Sequence, residues 1–141
     1  MDQVIDIVAA LIRDPAGRVL LVRKHGTAAF MQPGGKRDAG EDDARALSRE
    51  VREELGCSVV AGSARSLGAF EAPAAHEPGW RVRAAVYAVD VAGTIVPRAE
   101  IDEIAWVEPG SPCGLALAPL TRDHVLPLAS AGRGENRERR T

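Results

Sequence analysis

The sequence predicts an α+β fold, an α/β/α sandwich in which a mixed β-sheet lies between helices. Three observations point there. Residues 4–13 and 19–22 are nearly unbroken β-branched and aliphatic runs, the pattern of strands covered on both faces. Ala44, Leu47, Val51 and Leu55 recur at the i, i+3, i+4 spacing of a helix with one buried stripe. Residues 115–128 form a second apolar helical stretch at the far end of the chain, with Pro119 near its start and Pro127 near its end.

The connections follow from their breakers. Asp14-Pro15-Ala16-Gly17 supplies a tight turn between the first two strands. Residues 24–29 form a polar loop, Phe30-Met31-Gln32 an apolar approach, and Pro33-Gly34-Gly35 a sharp bend whose N–H groups can approach an anion. Asp42 suits the N-cap of the central helix and Gly56 its left-handed C-terminal stop. Beyond it, residues 59–70 mix small and apolar side chains, 71–79 form a loop rich in breakers, and 81–91 alternate as a strand. A turn at Ala92-Gly93-Thr94 precedes a short last strand over 104–107.

A chain of 141 residues, 45% hydrophobic and 27% charged, suits one domain, taken as 1–130. Residues 131–141 lack the apolar content of a core and are expected to form a disordered basic tail. The formal charge of −2 includes that tail, so the body is more acidic still, which argues against nucleic-acid binding. Neither an apolar run of membrane-spanning length nor a signal-like start at Met1-Asp2-Gln3 is present, so no membrane partner is expected. Cys57 and Cys113 have no metal-ligand spacing and read as reduced thiols of a cytoplasmic protein.

The helix over 44–55 carries the chemistry. Its turn places Glu50, Glu53 and Glu54 together on a second face, with Ala46 leaving room above them. Such a face is ordinarily solvated and neutralised by neighbours such as Arg45, Arg49 and Arg52. It can also hold a hard cation, Mg²⁺ or alternatively Mn²⁺.

The wider segment decides between these. Gly35, then five residues, Glu41, then seven residues, then Arg49-Glu50-Val51-x-Glu53-Glu54-x-Gly56-Cys57 resembles, position for position, the signature of the Nudix hydrolase family. Seven fixed residue types in register would coincide by chance roughly once in 10⁸ starting points. The one departure is Cys57, where an aliphatic residue is usual; a buried cysteine behaves as a small hydrophobe.

The resemblance implies a helix-sheet-helix sandwich and a hydrolase acting on a nucleoside diphosphate linked to another group, with divalent cations and a water nucleophile. It implies Glu53 and Glu54 as the main metal ligands, Glu50 as a further ligand or the base, the Gly35 carbonyl as another ligand, and Glu41 with Arg49 as the pair that braces loop and helix. Which glutamate is the base is left open. Glu103, ahead of Ile104-Ala105-Trp106, occupies the place where many relatives carry a further catalytic acid, with Glu100 in reserve.

Candidate substrate contacts are Arg23, Phe30, Gly34, Gly35 and His76. Phe70 and Trp80 are further stacking candidates; Tyr87 and Trp106 read as core, and His25 and His124 as structural or solvated. The favoured substrate is a nucleoside triphosphate, as in MutT-like members. An ADP-ribose or nucleotide-sugar hydrolase is the alternative, for which Pro73, 16 residues past the motif, speaks; the N-terminal dimerisation segment common there is not seen. A homodimer is compatible with either. A non-catalytic nucleotide sensor is the third reading, against which all the motif acids are kept.

Overall fold

β1 (Gln3–Leu11) is covered on both faces from Val8 onward, which is why that half runs apolar instead of alternating, while Gln3, Val4 and Asp6 are exposed. The structure, a computed structural model, describes residues 3–112 and 114–131. After β1 come β2 (Val19–Lys24), β3 (Phe30–Met31), β4 (Gly34–Lys36), α1 (Asp43–Leu55), β5 (Ser58–Val59), β6 (Arg65–Pro73), β7 (Trp80–Ala88), β8 (Val91–Ala92) and β9 (Ile101–Val107). A helical segment, α2 (119–131), follows, with a π-helical turn at Thr121–Val125.

One sheet is ordered β4-β1-β7-β6 and is mixed, since β1 runs parallel to β7 and antiparallel to β4. A second is ordered β3-β2-β9, and β5 pairs with β8. Alternate residues of β1 and β2 serve two cores. Ala9, Leu11, Val19 and Leu21 pack beneath α2 with Val125 and Leu126. Val8, Ala10, Ile12, Leu20 and Val22 pack beneath α1 with Leu47, Val51 and Leu55. The layers are therefore helix, sheet, helix, as the sequence predicts.

The strand-turn-strand start is present, held by hydrogen bonds from Gly17 N to Asp14 O and from Leu20 N to Ile12 O. The two strands then part into different sheets, which gives the fold its gap.

Four expectations are corrected. Gly34-Gly35 is not a bend but strand β4, paired with β1 at Ala9 and Val8. Residues 71–73 continue β6, leaving a shorter loop over 74–79. The final helix begins at Pro119, where a missing N–H costs nothing; residues 116 and 118 instead exchange backbone hydrogen bonds with Phe30. On α1, Ala46 and not Ala44 belongs to the buried stripe. Of the expected tail, Ala131 closes α2 and the remainder lies outside the described residues, as does Cys113.

α1 ends as its sequence signals. The Asp42 side chain accepts from Arg45 N, and Gly56 takes φ 69° while its N–H bonds Arg52 O. Residues 96 and 98 donate to the last carbonyls, Leu55 O and Glu54 O, so a chain far in sequence completes the terminus. Among the described residues no helix is long and apolar enough to cross a membrane.

Candidate active site

Two glycines let α1 dock on β4. Gly34 has φ 149°, and a β-carbon there would lie 2.2 Å from the Val8 carbonyl oxygen, so only glycine admits the approach to β1. A β-carbon on Gly35 would meet the Glu50 carboxylate. The result is a short strand whose backbone faces the acidic flank of α1.

Glu54 is 3% exposed, beside Glu50, which shares a side-chain hydrogen bond with it. Gly34 N donates weakly to Glu54 Oε1 at 3.4 Å. Burial, then the charge and hydrogen bond of Glu50, push the Glu54 carboxyl up to about 8. Glu54 itself is buried with little to balance a negative charge.

Arg49 organises the rest. Its Nε donates to Glu41 Oε2 at 2.7 Å and Nη2 to Glu41 Oε1 at 2.9 Å, a bidentate pair. Nη1 donates to Glu50 Oε1 at 3.0 Å, and Nη2 also reaches the Lys36 carbonyl. Glu41 in turn accepts from Asp38 N, and the Arg49 guanidinium holds its carboxyl down at about 2. The arginine thus ties the loop after β4 to the helix. Its Nη1 also donates at long range to the half-exposed Glu53, 3.4 Å from Oε2. Among the described residues no three His, Cys, Asp or Glu side chains converge as a ready metal shell.

A cleft of about 570 Å³ opens over Gly34, Gly35 and Glu50, lined also by Lys24, Lys36 and Glu100. It runs on into a recess of about 130 Å³ lined by Pro73, His76, Val82, Ala118 and Leu120. Ile5, Ile7, Lys24, Met31, Gln32 and Glu77 line both.

Of the sequence candidates, Gly34, Gly35, Glu50, His76 and Trp80 line this cleft. Phe30 is packed in the core beneath α2, and the Arg23 guanidinium bonds Glu103 and Thr27 O; neither lines the cleft. Glu103 stands half-exposed against Arg23, whereas Glu100 lines the cleft and pairs with Lys24 at 3.4 Å. His25 pairs with Asp102, and His124 stacks on Phe70. Tyr87 packs against the core beneath α1, and its hydroxyl donates to Asp43. Lys24, Lys36, Gln32 and Glu77 were not singled out by sequence. A signal existed for Gln32, a polar residue within an apolar run, and for Lys36, which follows the two glycines.

Comparison with known proteins bears on this geometry. An 8-oxo-dGTP diphosphatase of Haemophilus influenzae is 35% identical over 75 residues, which is 50% of this chain and 55% of that relative, so the chain spans little more than half of its length. The solved structure of a MutT NUDIX hydrolase from Burkholderia pseudomallei is similar at TM-score 0.71 and 25% identity, covering 91% of this chain and 96% of that one. A NUDIX hydrolase from Nitrosomonas europaea gives TM-score 0.73 at 25% identity, covering 92% and 90%. The NUDIX domain model matches residues 5–128, which takes in the docked glycines, the Arg49 brace, α1 and most of α2, and the chain belongs to the Nudix family.

Proposed function

We propose that this protein is a Mg²⁺-dependent, MutT-like pyrophosphohydrolase that converts a nucleoside triphosphate to the monophosphate and pyrophosphate. The observation that carries it is the carboxyl pair of part-buried Glu50, which lines one end of a cleft, and buried Glu54 beside it, with a mainly apolar recess at the other end. The diphosphate belongs at the first end and the base at the second. Lys24 and Lys36 add positive charge beside the phosphates. A cytoplasmic setting suits the buried free thiol of Cys57.

A divalent cation fits this donor set. Mg²⁺ keeps several waters and is bound through one or two carboxylates plus substrate phosphates, so a full protein cage is not required. Glu50 and Glu54 would hold it, with the Gly35 carbonyl and Glu53 as the further ligands. When bound, the cation neutralises phosphate oxygens and lowers the pKa of the water it holds. The chain's own part is to hold Glu54 buried beside Glu50, to orient Glu50 through Arg49, and to accept the water's proton on a Glu50 carboxylate oxygen as water adds to phosphorus and pyrophosphate leaves.

The test is incubation with Mg²⁺ and a panel containing the ordinary and 8-oxo nucleoside triphosphates and ADP-ribose, run in ¹⁸O water. Pyrophosphate release supports the proposal. Cleavage of ADP-ribose alone, to AMP and ribose 5-phosphate, supports the alternative, to which Pro73 in the recess lends weight. Binding without turnover of any member indicates the sensor.

A further inference from the structure

Gln32 sits where the cleft meets its inner recess and lines both. It is only 5% exposed, so its amide must find partners for one oxygen and two N–H bonds. The oxygen has one. The hydroxyl of Thr121, fully buried in α2, donates to Gln32 Oε1 at 2.7 Å. The amide nitrogen bonds no described residue, yet it is not sealed from solvent, so it opens onto the cleft. With Thr121 donating to the oxygen, the end of the amide that faces outward is its N–H₂, a donor only. Around it Ile5, Ile7, Met31, Val82 and Leu120 give the recess apolar surfaces that suit the faces of a flat ring, while Lys24, His76 and Glu77 supply its other polar groups.

We infer that Gln32 is a base-reading residue, whose N–H₂ donates to the carbonyl at C6 of guanine or C4 of uracil and so admits these keto bases over adenine and cytosine, which carry an amino group there. An amino base would present its own exocyclic N–H₂ to that donor, leaving two buried donors without an acceptor. Thr121 is a positioning residue that acts through the amide. This role rests on the nucleotide reading above, and the experiment separates the two.

The full-length protein is assayed with Mg²⁺ on GTP and ATP, and on UTP and CTP, as wild type, Gln32→Leu, Gln32→Glu, Thr121→Val and Thr121→Ser. The wild type is expected to favour GTP over ATP in kcat/KM by about 10-fold or more. Gln32→Leu should bring the ratio to within about 3-fold, Gln32→Glu should reverse it, and both should act through KM more than kcat. Thr121→Val, which keeps the shape and removes the hydroxyl, should lower the ratio, and Thr121→Ser should restore it. A wild type that favours ATP, or a ratio unmoved in every folded variant, overturns the inference. If the wild type hydrolyses nothing, the pyrophosphohydrolase reading fails. The base preference is then read from GMP and AMP affinities by calorimetry, where equal affinities or no binding overturn it.

Discussion

The Glu50 carboxylate occupies the space that a β-carbon on Gly35 would need: such an atom would lie 2.5 Å from Oε1 and 2.8 Å from Oε2. The neighbouring Gly34 faces backbone instead, with the Val8 oxygen at 2.2 Å. The two substitutions should therefore fail differently. Gly35→Ala should displace the flexible end of Glu50 and lower kcat by about 10-fold or more while the melting temperature moves little. Gly34→Ala meets an unyielding carbonyl at a positive φ and should lower the melting temperature by several degrees or prevent folding. Thermal melts and turnover of both variants check this; equal behaviour would contradict the assignment of Gly35 to the site and Gly34 to the fold.

Arg49→Lys keeps the charge and loses the fork that grips both oxygens of Glu41 while reaching Glu50. Activity should fall by about 10-fold to 100-fold, the range for residues that orient ligands. Glu41 is held down at about 2, so its contribution to stability is present above its ordinary value of 4.5 and is lost as pH falls towards 2. Without the fork that loss should begin at higher pH, visible as an earlier acid-unfolding midpoint by circular dichroism. An unchanged midpoint would show that the pair contributes nothing to folding.

Glu54 has the opposite sign. Its carboxyl is raised from 4.5 to about 8, so in metal-free protein the folded state binds the extra proton between those values and stability falls as pH rises through them. Glu54→Gln should melt close to wild type near pH 4 and above it at pH 8 and beyond. Added Mg²⁺ should raise the wild-type melting temperature at pH 8 more than that of the variant, and should leave the variant's turnover lower by orders of magnitude. Parallel pH curves for the two proteins would argue against the burial of Glu54.

Glu100 and Glu103 compete for the role of an acid outside the motif. Glu100 lines the cleft, and Glu103 stands against Arg23 away from it. Glu100→Gln should lower kcat/KM by about 10-fold, whereas Glu103→Gln should stay within about 2-fold. A large loss in Glu103→Gln with Glu100→Gln unaffected would restore the sequence expectation.

Local physics was legible from the sequence. The caps of α1, its buried stripe at Leu47, Val51 and Leu55, and the doubly covered runs of β1 and β2 depend on spacing and on neighbours a few residues away. So does the order Glu41, Arg49, Glu50, Glu53, Glu54, whose family signature survives translation into a list of residue types. Long-range approach was not legible. Only the packing of β4 on β1 turns Gly34-Gly35 from an expected bend into a strand, and only the exchange of hydrogen bonds between Phe30 and residues 116 and 118 carries Phe30 into the core.

The sequence by itself thus determined the two-helix sandwich, the acidic flank of α1 and the family, because each follows from periodicity or from fixed spacing along one segment. Tertiary structure decided how those acids divide: Glu54 buried against Glu50, and Glu53 left half-exposed. It also brought Thr121 to Gln32, 89 residues away. Burial and hydrogen bonding between distant segments depend on how sheets and helices stack, and no local pattern of residues encodes that contact.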